Sequence, residues 1–395
     1  MMIPIKESDR RYMMRALRLA SFGLYTTYPN PAVGCVFVRD DRIIGVGWHH
    51  RAGEPHAEIM AIDNAGGDVS GATAYVTLEP CSHYGRTPPC AARLVSEGVS
   101  RVVIAAGDPN PKVSGRGVRI LREAGIEVVE HVLEKEAWFL NRAFMKSITG
   151  KTPFVTLKTA MSLDASTALK DGQSKWITDA RSRSDVQDLR AQCDVIVTSW
   201  STVKADNPKL NVRYDELPQS ARMMVRKEDL RQPVKVVIDS AGRFSAGGSL
   251  KRSDFEIFKQ GRVLLCLADA VDGPVARELD EHVTEVLLPQ AGDHVSLKAL
   301  LEYLGGMQYR RVMVEAGAGI CGAFIQQELY DELYVYVAPK ILGNSSRRAF
   351  DCPSPIMLKD CSEAVLHAAD KLDHDVRLHY LSPRLNEALK AFEEK

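Results

Sequence analysis

Residues 72–110, ATAYVTLEPCSHYGRTPPCAARLVSEGVSRVVIAAGDPN, decide the fold of the first part of the chain. An apolar, β-branched run reads as a strand ending at Pro80. CAARLVSEGV reads as a helix opening at Cys90, and RVVIAAGDPN as a second strand. Strand, helix and strand in that order ask for parallel pairing through a crossover helix. The same alternation continues on both sides. Upstream, Tyr12, Met13, Ala16, Leu17 and Ala20 recur at helical spacing within the first 20 residues. AVGCVFV reads as a strand, Asp40–Asp41 as a tight polar turn into a second strand, and PHAEIMAIDNAG as a helix opened by Pro55. Downstream come the helix GVRILREAGI, the strand EVVEHV and a helix over EKEAWFLNRAFMKSITG. The expectation is a three-layer α/β/α domain with a largely parallel sheet.

Gly150–Lys151–Thr152–Pro153 interrupts this pattern and marks a domain boundary, dividing the chain into residues 1–150 and 151–395. A length of 395 residues favours two domains. The second half offers strands at FVTLKTAMS, DVIVTSW, VKVVIDS, RVLLCLA, EVLLP, RVMVEA and LYVYVAPKIL. Its helices are expected at ARSRSDVQDLRAQ, SLKALLEYLGG and GAFIQQELY, making a second α/β domain. YDELPQSARMMVRKEDLRQ and AGRFSAGGS read as surface loops.

The 51 Lys and Arg balance 51 Asp and Glu, and no basic tract occurs. That argues against a nucleic-acid binder, which needs a positive face for phosphates. No stretch has the apolar length of a membrane span. The N-terminus lacks the apolar core and cleavage site of a secretory signal, so a reducing cytoplasm and free thiols are expected. Cys193, Cys266, Cys321, Cys352 and Cys361 show no ligand spacing and read as small buried hydrophobes.

His56, Cys81 and Cys90 do show ligand spacing. One imidazole and two thiolates leave a tetrahedral position open, the mark of a catalytic rather than a structural zinc. Cys90 at a helix start gains from the free N–H groups and the macrodipole, which favour a thiolate. Glu58, two residues from His56, fits a proton shuttle between water, the substrate ring nitrogen and departing ammonia. Residues two apart on a regular helix point to opposite faces, so His56 and Glu58 work together only in an irregular first turn. A closed structural site would need a fourth ligand, for which His83 is the nearby choice; an intact Glu58 speaks against that reading.

These blocks, GEPHAE, TLEPCSHYGRTPPC and DPNP, resemble the deaminase half of the bifunctional riboflavin-biosynthesis deaminase–reductases. The long spacer between Cys81 and Cys90 differs from the P-C-x-x-C of nucleic-acid and free-cytidine deaminases. SKWIT, DLRAQCDVIVTS, TVKADNPKLNVR, VVIDS, VEAG and VYVAPKILG resemble the reductase half, so the resemblance spans nearly the whole chain. It implies a cytidine-deaminase-like domain followed by a dihydrofolate-reductase-like α/β domain. It implies one zinc per chain, NADPH, a small phosphorylated pyrimidine as substrate, and a homo-oligomer, dimer or tetramer. In the deaminase it implies substrate contacts at Asn30, His49, His83, Arg86 and Asn110. In the reductase it implies cofactor contacts at Ala160, Trp176, Thr202, Asp206 and Ser240 and along Gly317, Gly319 and Gly322. Substrate contacts are implied at Ser174, Arg190, Leu210, Arg213 and Glu315. Read without the resemblance, Asn30 and Asn110 are equally turn residues before proline, Arg190 and Arg213 are phosphate clamps or ion-paired side chains, and Trp176 covers a ligand or plugs a core.

Gly317-Ala-Gly319-Ile-Cys-Gly322 matches G-x-G-x-x-G, but no acidic residue ends the following strand, so the dinucleotide fingerprint is incomplete. A glycine loop opening a helix still suits a pyrophosphate. Ser162-Leu163-Asp164-Ala165-Ser166 departs from the S-L-D-G-[KR] common in these reductases, losing a glycine and a basic residue, which puts NADPH affinity in question.

Overall fold

The computed structural model describes residues 4–82, 89–110 and 114–392. They form two compact units, Met1–Lys151 with Met224–Leu230, and Thr152–Met223 with Arg231–Lys395.

In the first unit the chain runs α1 (Glu7–Ala20), β1 (Gly34–Arg39), β2 (Arg42–Trp48), α2 (Ala57–Asn64), β3 (Thr73–Leu78), α3 (Cys90–Ser96) and β4 (Arg101–Ala106). It continues through α4 (Arg116–Glu123), β5 (Glu127–Val129), α5 (Glu134–Leu140) and α6 (Arg142–Thr149). The sheet order is β2-β1-β3-β4-β5. Only β3, β4 and β5 pair in parallel. β1 is antiparallel to both β2 and β3, so the sheet is mixed rather than largely parallel. The reason is local: Asp40 and Asp41 both take left-handed φ, 51° and 56°, the tight hairpin turn that strand twist favours. Alternation along each strand builds the three layers. Cys35, Phe37, Ala74, Val76, Val102 and Ile104 face α2, α3 and α4. Val36, Val38, Tyr75, Val103 and Ala105 face α1, α5 and α6.

The single helix expected over 134–150 breaks at Asn141, whose side-chain amide pairs with both backbone groups of Ala32, each at 2.8 Å. An amide that satisfies a distant peptide in this way is held by tertiary pairing, which local helix propensity does not foresee.

The second unit runs β6 (Phe154–Ser162), β7 (Ser166–Ala168), α7 (Ala180–Ala191), β8 (Val195–Ser199), α8 (Trp200–Asp206), α9 (Gln219–Arg222), β9 (Val234–Ile238) and β10 (Val263–Asp269). Then come β11 (Val275–Glu278), β12 (Val283–Ala291), β13 (His294–Val295), α10 (Leu297–Gly306), β14 (Arg311–Val314), α11 (Ala318–Gln326) and β15 (Glu332–Ala338). β16 (Arg347–Arg348), β17 (Val365–Leu372), β18 (Asp375–Leu381) and α12 (Pro383–Lys390) close it. The main sheet has the order β11-β12-β10-β9-β8-β14-β6-β15-β18-β17. Its run from β12 to β15 is parallel throughout. All seven strands and three helices expected in this half are present. The β17–β18 hairpin, α8 and α12 were not foreseen; in β17 (VLHAADKL) the apolar residues are broken up by His367, Asp370 and Lys371 and only Leu372 is buried. Cys193, Cys266 and Cys321 are buried, whereas Cys352 and Cys361 are exposed, because the segment around them has no strand or α-helix to bury them.

Candidate active sites

α2 is pressed against β2 at two glycines: a side chain at Gly47 would place its Cβ 2.4 Å from the Ala61 nitrogen. This close approach sets where α2 begins. His56 caps the helix in an extended conformation, φ −71° and ψ 166°, and Glu58 lies in the first turn. The irregular start that the spacing required is therefore present, and the two side chains need not follow helical directions.

The Pro80–Cys81 turn is fixed from the other side. The Glu79 carboxylate is buried and accepts the Gly115 and Gly117 N–H groups at 2.9 Å and that of Val118 at 3.3 Å, all at the start of α4. Gly117 packs so closely that a Cβ there would lie 2.1 Å from the Pro80 carbonyl oxygen. Glu79 was not singled out from the sequence. The signal was an acidic residue closing an otherwise apolar strand just before proline.

Cys90 opens α3, and its N–H donates to the Cys81 sulfur at 3.2 Å. His56 Nδ1 lies 3.6 Å from Cys81 Sγ and 3.4 Å from Cys90 Sγ. Among the described residues these three form a group able to hold a metal ion, with ligand atoms within 4.8 Å of one another. The Cys81 thiol is brought down to about 4, chiefly by a hydrogen bond from the Cys90 thiol and then by His56 and the Cys90 N–H. The same pairing pushes the Cys90 thiol up. One negative charge is thus stabilised by the protein alone, and a dication would stabilise the second thiolate as well. One imidazole and two sulfurs on rigid helix and strand ends suit zinc. Burial pushes the Glu58 carboxyl up, next to this group.

Asn30 and His49 are brought to the same place. The His49 and His56 rings meet edge to face at 5.3 Å between centroids. His49 Nδ1 lies 3.1 Å from the Pro55 carbonyl, which only accepts, so Nδ1 carries the proton and Nε2 accepts from Asn30 Nδ2 at 3.1 Å. Burial lowers the His49 pKa and favours this neutral form. Asn110 follows β4, and its N–H donates to Asp108 Oδ1 at 2.8 Å. His83 and Arg86 lie outside the described residues.

In the second unit a cavity of about 1050 Å³ opens along the ends of the parallel strands. It is lined by Ala160, Trp176, Thr202, Asp206 and Ser240, and by Gly317 and Gly319. Ser174, Arg190, Leu210, Arg213 and Glu315 line it as well. Gly322 does not; it faces the Asp351 backbone, where a Cβ would come within 2.1 Å of the carbonyl oxygen. Trp176 is 64% exposed, with the Arg183 guanidinium 4.5 Å above its ring, so it is a wall of the cavity and not a core plug. Ser174 Oγ bonds Asp206 at 3.3 Å. The Gly317 N–H donates to Thr202 Oγ1 at 3.2 Å, joining the glycine loop to α8.

Arg190 and Glu315 are paired twice, and Lys158 Nζ stands 3.7 Å from the same carboxylate. Burial pushes Glu315 up, but the two cations prevail and hold it at about 2. Burial lowers Lys158. Lys158 was missed in the sequence; its signal was a lone charge inside the apolar strand FVTLKTAMS. Arg213, by contrast, is partly exposed and pairs with Glu216. Ser166 is buried and its hydroxyl meets that of Ser346, while Ala165 holds a left-handed φ of 57°, the region that favours glycine.

Fold and sites together define a zinc-binding deaminase domain followed by a reductase domain of the nicotinamide-dependent class. Residues 6–106 match the cytidine and deoxycytidylate deaminase zinc-binding region, and residues 153–363 match the RibD C-terminal domain. The chain is 44% identical over 371 residues to the riboflavin biosynthesis protein RibD of Escherichia coli, covering 94% of this chain and 98% of that protein. The structure of Acinetobacter baumannii RibD superposes with a TM-score of 0.84 at 42% identity, covering 95% of this chain and 99% of that one. The Thermotoga maritima diaminohydroxyphosphoribosylaminopyrimidine deaminase/5-amino-6-(5-phosphoribosylamino)uracil reductase gives 0.81 at 34% identity, covering 95% and 98%. The chain belongs to the RibD family, the bifunctional deaminase–reductases of riboflavin biosynthesis. Among the described residues no helix is long and apolar enough to cross a membrane.

Proposed function

We propose that residues 1–150 hydrolyse the 2-amino group of 2,5-diamino-6-ribosylamino-4(3H)-pyrimidinone 5′-phosphate, and that residues 151–395 then reduce the ribosyl chain to a ribityl chain with NADPH. The product is 5-amino-6-ribitylamino-uracil 5′-phosphate. The observation that carries the first step is the convergence of His56 Nδ1 and the Cys81 and Cys90 sulfurs beside buried Glu58. His56, Cys81 and Cys90 hold zinc. When bound, that ion supplies the Lewis acidity that brings the pKa of a water toward neutrality. Glu58 takes a proton from the attacking water, gives it to the ring nitrogen, and moves a second to the departing amine, so water enters and ammonia leaves. A carboxyl raised by burial is suited to holding that proton between transfers. Asn30, held by His49, offers a paired donor and acceptor to the pyrimidine edge, with His83, Arg86 and Asn110 completing the substrate contacts.

Reduction needs a hydride from the cofactor and a proton. The cofactor lies along Ala160, Trp176, Thr202, Asp206, Ser240 and the Gly317 loop, with its pyrophosphate at the start of α11. Lys158 faces the cavity, and its lowered pKa makes its ammonium the proton donor. Arg190 and Glu315 hold the substrate end together with Ser174 and Leu210, and Arg213 meets the substrate phosphate.

The test follows ammonia and nicotinamide absorbance after adding substrate with and without NADPH. Ammonia without NADPH, NADPH consumption only afterwards, and loss of both in Glu58→Gln at unchanged zinc content are expected. No ammonia from zinc-loaded protein overturns the substrate; ammonia with untouched NADPH overturns the reductase reading.

A further inference from the structure

Glu79 binds the chain at both ends of one segment of the deaminase unit. Its N–H donates to the Ala106 carbonyl at 2.9 Å, where β4 ends. Its carboxylate reaches the start of α4: Oε2 accepts the Gly115 N–H, and Oε1 those of Gly117 and Val118. The residues from Gly107 to Ser114 join these two points and include Asn110. The Ser114 N–H donates to the Asn110 carbonyl at 2.9 Å, and Gly115 is the next residue. One hydrogen bond and one peptide step therefore separate Asn110 from the N–H that Glu79 holds. The acceptor comes from 36 residues earlier in the chain, so it ties two segments together, where a local cap would serve only its own helix. Glu79 is buried, and among the described residues no cation pairs with it.

We propose that Glu79 is a positioning residue of the deaminase, which holds Asn110 where the pyrimidine binds and so sets the KM for substrate. The inference rests on the reading above that Asn110 touches the substrate. A buried carboxylate costs free energy unless its oxygens are hydrogen-bonded. Here Oε1 has two N–H donors and Oε2 one, all at the positive end of α4. A carboxylate suits that pattern because both its oxygens only accept. A glutamine does not. With its oxygen on Gly117 and Val118, its NH2 group faces the Gly115 N–H, donor against donor. The fault falls on the Ser114–Gly115 step, next to the bond that holds Asn110. The metal turn keeps a hold of its own. The Cys81 carbonyl accepts the Ala91 N–H at 3.2 Å, and its sulfur accepts the Cys90 N–H at the same distance, both from α3. Loosening the Glu79 clasp therefore reaches the substrate contact before it reaches the zinc ligands.

The experiment follows ammonia release against concentration of the diaminopyrimidinone ribosylamino phosphate in the zinc-loaded, full-length protein. Wild type, Glu79→Gln, Glu79→Asp, Asn110→Ala and the double variant Glu79→Gln with Asn110→Ala are compared. Zinc content and the reductase half-reaction are measured beside them. Glu79→Gln is expected to raise KM about 10-fold, with kcat within about 2-fold of wild type and with zinc content and reduction unchanged. Glu79→Asp, which keeps both acceptor oxygens, should recover part of that loss. In the double variant KM should be no higher than in Asn110→Ala, because Glu79 acts through Asn110. A wild-type KM in Glu79→Gln overturns the inference, as do effects of the two substitutions that simply add. Loss of zinc from Glu79→Gln overturns it too, since the carboxylate would then hold the metal turn. Asn110→Ala with a wild-type KM removes Asn110 from the substrate contacts and takes the inference with it. No ammonia from zinc-loaded wild type overturns the substrate reading itself.

Discussion

The first unit gathers its chemistry between positions 56 and 90, from two helix starts and one strand end, and sets three ligand atoms within 4.8 Å. The second spreads its cavity over residues from Lys158 to Asp351, drawn from several parallel strands and the loops that follow them. A metal site needs few ligands, but each must be placed closely, so it is built where the chain is stiffest and shortest. A cavity for an extended dinucleotide needs many weaker contacts, and the ends of parallel strands supply them in a row. The charges differ in the same sense. In the first unit the protein stabilises one thiolate and leaves the second to a cation. In the second, Glu315 is matched by Arg190 and Lys158 from within.

The largest effect separates the two regions outright. Cys90→Ser removes a thiolate that nothing nearby replaces. Zinc content should fall from about one per chain toward zero, and ammonia release on the order of 10³-fold or more. Reduction of a supplied deaminated intermediate should continue. Metal analysis beside the two half-assays reads this; retained zinc would remove Cys90 from the ligand set, and loss of both half-reactions would deny that the sites are separate.

Lys158→Met turns the comparison round. Reduction should fall about 10²-fold, as for loss of a proton donor, with deamination untouched. Full reductase activity in this variant would leave Lys158 as a structural partner of Glu315 only.

A smaller effect sharpens the contrast in charge. Glu315 titrates at about 2 when folded and near 4.5 when free. Between those values the unfolded chain binds a proton that the folded one does not, so this contribution to stability is present above pH 4.5 and is lost as pH falls toward 2. Urea midpoints of wild type should therefore fall more steeply over that window than those of Glu315→Gln. Parallel slopes would show that the triad adds no such term.

Much of the first site was legible because its residues act through neighbours in sequence. Pro55 before His56, the strand ending at Pro80, and Pro89 before Cys90 are local signals, and local geometry followed them. Glu79 was not legible, because its role depends on where the N–H groups of α4 arrive. In the second unit the strands could be read from apolar runs, yet β17, at the sheet edge, could not, since His367, Asp370 and Lys371 break up its apolar residues. The glycine loop matched a familiar string, but only packing shows that Gly317 and Gly319 line the cavity while Gly322 sits against Asp351.

By itself the sequence pointed to the grouping of His56, Cys81 and Cys90 with Glu58 nearby, and to the α/β alternation of both halves. Each is signalled within short stretches, by periodicity and by the turn and proline residues that bound them. Tertiary structure alone decided that Lys158, Arg190 and Glu315 meet, and that Arg243 lies over Trp200 at the end of the strand row. Those pairings join residues on different strands and helices. Their distances are set by sheet order and crossover, which the order of residues along the chain does not contain.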